Sequence, residues 1–148
     1  MLQPAEPRHL RLKGALACDS LLRLFRLAAD AGDGDLESFV IYLAVISAGV
    51  GRVLRDPALR RTYADEPLPD GLRQAVSRRA VAESVGLPRE TVRRKIAALI
   101  ASGHLVEQDG GVAAVGPVLE MRQNRPFVLS VIKELERAAA ELDRCDAT

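Results

Sequence analysis

The sequence has no Trp, three Phe and two Tyr in 148 residues, and only two Cys and two His. So few aromatic residues argue against an all-β sandwich or barrel, whose strands favour aromatic and β-branched side chains. The 22 Ala point instead to a helical core of aliphatic side chains. Cys18 and Cys145 stand near opposite ends without a spaced pair, which excludes a disulfide framework and a zinc cluster. With so few His as well, no metal and no cofactor is expected. Long apolar runs are also missing: the run over 39–51 has 13 residues, short of the roughly 20 that cross a bilayer. Asp35, Glu37, Arg52 and Arg55 bracket it, so no membrane span is expected. Residues 1–13 carry Arg8, Arg11 and Lys13 but no apolar stretch, unlike a secretory signal. A cytoplasmic chain is the expectation. Neither a phosphate loop nor a nucleophile with His and acidic partners is present, so an enzyme is not expected.

The net charge of +1 conceals an uneven distribution. Residues 1–71 carry nine Lys and Arg against ten Asp and Glu, residues 72–104 seven against two, and residues 105–148 five against eight. Only the middle segment is basic, through Arg73, Arg78, Arg79, Arg89, Arg93, Arg94 and Lys95. A local excess of this kind suits a phosphate-contacting surface, because each neutralised phosphate releases counterions. A solvated helix face is the plainer alternative.

Residues 1–14 lack periodicity and are read as a flexible arm. Asp19 or Ser20 can cap a first helix that ends at Ala31 before Gly32, with Leu21, Leu24, Phe25 and Ala28 on one face. Asp33-Gly34-Asp35 is a turn that caps a second helix ending near Arg55, before Pro57. Apolar all round between Phe39 and Val50, this helix is expected to be buried on every side, at the domain centre or in a subunit interface. Ser47 and Gly51, or Ala44 and Ala48, would allow another backbone to approach. A short turn of helix around 59–63 and a Pro-rich loop over 66–71 complete a helical region at 15–71. After the basic segment, 104–108 and 112–115 read as strands joined by Asp109-Gly110-Gly111, a hairpin signal. Pro126 opens a last helix to about Asp143, within a C-terminal region at 117–148. Val128, Leu135 and Leu142 repeat every seven residues, with Val131 and Ala138 between them, a short seam suited to core packing or to a partner subunit.

The segment 77–103 carries the chemistry. Ser77 caps a short helix with Val81 and Val85 inward, Gly86 permits a sharp turn, and Pro88 suits the start of a second helix. At about 100° per residue, Val92, Ile96, Leu99 and Ile100 form one face, and Glu90, Thr91, Arg94 and Lys95 the other. This is the pattern of a helix-turn-helix, whose second helix enters the major groove. Arg89 and Arg94 can each donate two bonds to guanine, and Glu90 can accept from cytosine. Arg78, Arg79 and Arg93 would then hold phosphates, with Ser77, Thr91 and Lys95 flanking them. In the free protein Glu90 is expected to pair with Arg94 one turn on. His104 reads as a surface or packing residue.

Arg89, Glu90, Thr91, Val92 and Arg94 resemble the recognition-helix pattern of the cyclic-AMP receptor and FNR-type regulators, over about residues 75–115. That resemblance implies base-reading roles for Arg89, Glu90 and Arg94. Pro88 replaces the family's Ser cap, and nothing upstream resembles its cyclic-nucleotide β-roll. The order of elements resembles MarR-type regulators, although the tip at Gln108-Asp109-Gly110-Gly111 has no Arg or Lys. The expectation is a mainly α fold: a winged helix-turn-helix over 72–116 with a short β-hairpin wing, flanked by N-terminal helices and a long C-terminal helix. Its expected function is sequence-specific binding of double-stranded DNA by a homodimeric bacterial transcription regulator, with 88–102 in the major groove. A winged helix that contacts a protein partner is the alternative. The resemblance to MarR-type regulators implies room for a small-molecule effector between the helical region and the winged helix, and no convergent polar set in the sequence points to one.

Overall fold

The computed structural model describes residues 5–147 and is mainly helical, with one small antiparallel sheet. The expected arm at 1–4 and the C-terminal Thr148 lie outside the described residues. The described residues form six α-helices: α1 Leu10–Ala31, α2 Leu36–Arg55, α3 Pro57–Thr62, α4 Arg78–Val85, α5 Arg89–Ala101 and α6 Arg125–Asp146. Strands β1, Leu105–Gln108, and β2, Gly111–Ala114, pair from Leu105 opposite Ala114 to Gln108 opposite Gly111.

Helix starts follow local chemistry where a cap exists. Asp35 accepts from the Ser38 amide at 3.1 Å and opens α2. Asp56 accepts from Ala58 and Leu59, and Pro57 occupies the first turn of α3. α1 is the exception. It begins at Leu10 rather than at Asp19, so residues 10–14 are helix and not arm, and no side chain caps it. Propensity and packing against α6 extend it where no stop signal intervenes.

The core joins Ile41 and Val45 of α2 to Val81 and Ala82 of α4, Val92 and Ile96 of α5, Leu105 of β1 and Val112 of β2. α2 is therefore central, but it is not buried on every side: Leu43 is 37% and Leu54 58% exposed. It is the one described helix long and apolar enough to cross a membrane by length and composition, and only 17% of that window is buried. A backbone does approach α2 closely, at Gly49, whose carbonyl accepts from the Gln74 amide at 3.2 Å.

α1 and α6 pack along each other as a separate pair, with Lys13 near one end of α1 bridging to Asp146 at 2.7 Å. Ser20 and Glu134 are buried in this pair, and Arg137 grips Glu134 at 2.6 and 3.0 Å. This changes the expected α1 face: Leu24 and Ala28 are half-buried, whereas Leu21 and Phe25 are 56% and 51% exposed. The α6 residues Val131, Glu134, Ala138 and Cys145 are wholly or partly buried, and Leu135 is 52% exposed. An edge-to-face contact of Phe39 and Phe127, centroids 5.2 Å apart, ties the pair to α2.

Candidate nucleic-acid interface

α4, its turn and α5 form as their local sequence requires. Ser77 Oγ accepts from the Ala80 amide at 3.1 Å, which commits this hydroxyl to capping α4. Gly86 takes φ 71°, a left-handed conformation that costs glycine nothing, and its amide closes the helix on Ala82. Pro88 then stands immediately before α5, and its carbonyl accepts from the Val92 amide. Val92 and Ile96 are fully buried, with Leu99 and Ile100 half-buried beside them.

The outward face of α5 differs from the expected one. Arg89, Glu90, Arg93, Arg94, Ala97 and Ala98 are exposed, while Thr91 and Lys95 are half-buried. Lys95 turns toward α2, where its ammonium bridges both Asp35 oxygens at 3.0 and 3.1 Å. Asp35 also accepts from the Ser38 hydroxyl at 2.7 Å. The Ser38 hydroxyl and amide, followed by Lys95, hold its carboxyl down at about 2. Lys95 is thus an anchor of α5 and not a flanking contact on its open face.

Most other cations in the basic segment also have carboxylate partners. Arg78 reaches across to Glu107 of β1 at 2.7 Å, Arg79 pairs with Glu83 at 3.1 Å, and Arg73 lies 3.5 Å from Asp70. Glu90 pairs with Arg93 at 2.6 and 3.0 Å, rather than with Arg94 as expected. The three-residue spacing brings the Arg93 fork alongside both carboxylate oxygens, and the pairing lowers the Glu90 pKa and raises that of Arg93. Arg89 and Arg94 make no ion pair among the described residues. They flank the outward arc of α5, with the Glu90–Arg93 pair between them.

The hairpin after α5 turns at Asp109 and Gly110, both left-handed, with φ 49° and 77°. Val76 adds one antiparallel bridge to β2: its amide donates to Val112 at 2.9 Å, and the Val112 amide donates back at 2.8 Å. A Cβ on Gly111 would lie 2.5 Å from the Val76 carbonyl oxygen, so glycine is needed for this close approach. Leu105 and Val112 cover the core, whereas Val106 is 43% exposed. The tip is acidic, with Glu107 and Asp109 and no basic residue between Leu105 and Gly116. His104 is exposed, donates or accepts at Ser102 Oγ over 2.7 Å, and packs edge-on against Tyr42.

Of the face read from the sequence, Glu90 and Arg94 are exposed, and Arg89 and Arg93 join them in place of Thr91 and Lys95; sequence reasoning also missed Asp35 and Glu107, the carboxylates that hold Lys95 and Arg78. No family model matches the chain, and no curated protein or solved structure matches it either.

Proposed function

We propose that the chain is a winged helix-turn-helix regulator that binds double-stranded DNA in the cytoplasm, with α5 in the major groove and β1–β2 as the wing. One observation carries this reading: Arg89 and Arg94, the two cations of α5 that make no hydrogen bond or ion pair among the described residues, are those whose positions suit base reading. Arg78, Arg79 and Arg93 are held only by single exposed carboxylates, and exchange of such partners for phosphate costs little. The acidic tip keeps the wing at the margin, so α5 carries most of the contact.

A second copy would complete the regulator as a homodimer. One side of α6 is taken by α1, and about 100° round the helix lies a second stripe, Val128, Ile132, Leu135, Ala139 and Leu142, at alternating spacings of four and three. Ile132 and Leu135 are about half exposed, at 46% and 52%. Arg122, Arg125 and Lys133 lie toward the start of α6 and Glu136, Glu141 and Asp143 toward its end, so an antiparallel copy would oppose unlike charges. Two copies would set two α5 helices against successive major-groove turns, about 34 Å apart on a symmetric site.

Selection of bound duplexes from a random pool, followed by titration across salt, tests the function. Affinity is expected to fall steeply with salt, and R78A to flatten the slope by about one contact. R94A is expected to cost about 1–3 kcal/mol on the selected site and to relax preference at one base pair. Absence of binding to any duplex at low salt refutes the proposal and favours a protein partner for the same face. Sedimentation tests the dimer: I132E/L135E is expected to be monomeric where the unmodified chain is dimeric.

A further inference from the structure

We infer that the open cavity bordered by the end of α1, the first turns of α2 and the start of α6 binds an organic cation, a quaternary or protonated amine on an aromatic or bulky apolar body. Its volume of about 660 Å³ falls in the range of small-molecule sites. The sequence has five aromatic residues, and three of them, Phe39, Tyr42 and Phe127, line this one cavity together with His104. They stand as two edge-to-face pairs, Phe39 with Phe127 at 5.2 Å and Tyr42 with His104 at 5.8 Å. Aromatic faces attract cations through their quadrupole.

The charged side chains that line the cavity are acidic, and Lys95 neutralises one of them from behind. Asp30 and Asp33 stand at the rim with carboxylates that make no hydrogen bond or ion pair among the described residues, and Asp35 is a third acid beside them. Among the described residues no Lys or Arg lines the cavity. The C-terminal end of α1 contributes the negative end of its helix dipole, while the positive end of α2 is covered by the Asp35 cap. The cavity between α2 and β2, about 560 Å³, lacks this bias, because Arg73 and Arg125 line it together with Asp65, Glu66 and Glu120.

Occupancy would be felt by α5. Asp35 borders the cavity and also anchors Lys95, and Leu99 of α5 lines the same wall. A bound cation therefore competes with Lys95 for Asp35 and loosens α5 from α2. That this loosening changes DNA affinity rests on the function proposed above; the binding site does not.

The test uses the full chain, isotopically labelled, titrated with benzyltrimethylammonium and separately with benzoate while amide shifts are followed by NMR. The cation is expected to give saturable shifts centred on Phe39, Tyr42, His104 and Phe127, and benzoate none there. D30N/D33N alters two exposed side chains, so the fold is expected to persist, and binding to weaken about tenfold. K95M releases Asp35 and is expected to tighten binding about two- to threefold. Equal response to benzoate, no saturable shift, shifts spread over all surface carboxylates, or unchanged affinity in D30N/D33N overturns the site. Unchanged affinity in K95M overturns the competition for Asp35. No DNA is present in the assay, so its failure is separate from failure of the DNA-binding proposal.

Discussion

Replacing Asp35 tests the joint between α2 and α5. The side chain caps α2 through the Ser38 amide at 3.1 Å and receives the Lys95 ammonium at 3.0 and 3.1 Å. Loss of an N-cap costs about 1 kcal/mol and loss of a partly exposed ion pair about 0.5 kcal/mol, so D35A is expected to destabilise the fold by about 1.5 kcal/mol. The lowered pKa gives an independent figure for what Ser38 and Lys95 contribute to the charged form. A fall from 3.8 to about 2 corresponds to roughly 2.5 kcal/mol at full strength. The side chain is 47% exposed, and solvent screening reduces that to about 1 kcal/mol. D35N keeps a capping oxygen for the Ser38 amide and loses the charge and the second acceptor, so it should cost about 0.5–1 kcal/mol. Because the folded carboxyl is the stronger acid, this stabilisation is complete above about pH 4 and disappears as pH falls through about 2. Thermal unfolding at pH 7, followed by far-UV circular dichroism, should show D35A melting about 3–6 °C below the unmodified chain. Urea unfolding at a series of acid pH values should show the gap to D35N closing as pH falls from 4 toward 2. A gap that stays constant across that window refutes the lowered pKa. Equal costs for D35N and D35A refute the capping role, and a D35A/K95M double variant that costs the sum of the single changes refutes the coupling.

Two further substitutions probe the core and the hairpin. G111A is expected to lower stability by about 1–3 kcal/mol in urea unfolding, because its Cβ would sit 2.5 Å from the Val76 carbonyl oxygen and force the bridge to Val112 apart. I96A empties a fully buried position between α2 and α5, and a loss of about 2–5 kcal/mol is expected by the same measurement. A cost under about 1 kcal/mol at either position would mean that the packing around it is wrong.

What was legible in the sequence was local. Ser77, Gly86 and Pro88 mark the boundaries of α4 and α5 because capping, positive φ and a missing amide act within a few residues. Asp109-Gly110 marks the hairpin for the same reason, and Asp35 the start of α2. Tertiary geometry was not legible. Asp35 and Lys95 are 60 residues apart, and Arg78 and Glu107 are 29 apart, so no periodicity announces either pair. The apolar residues of α1 offer more than one possible stripe. Only the presence of α6, with Glu134 and Arg137 lying opposite Ser20 and Asp19, selects the one that faces inward. The all-apolar run of α2 misled in a related way: hydrophobicity on every side says that a helix can be buried, but the partners available in one chain cover only part of it.

The ion pairs also revise the electrostatics of the basic segment. The excess over 72–104 is five charges when the segment is taken alone, yet Asp35 and Glu107, outside it in sequence, reach Lys95 and Arg78, and Asp70 lies beside Arg73. In the free chain the outward field of α5 is therefore centred on Arg89 and Arg94. If duplex DNA is the partner, the remaining arginines divide by how firmly they are held. Arg79 and Arg93 keep exposed side chains, 72% and 63% accessible, and can pass from carboxylate to phosphate at small cost. Lys95 is only 19% accessible and is held by both oxygens of a capping carboxylate, so its transfer would open the joint between α2 and α5. The salt dependence of binding should then respond to R79A and R93A by about one contact each and remain nearly unchanged in K95M. A slope that falls equally in all three variants would mean that Lys95 leaves Asp35 on binding, and that the joint between α2 and α5 opens whenever DNA is engaged.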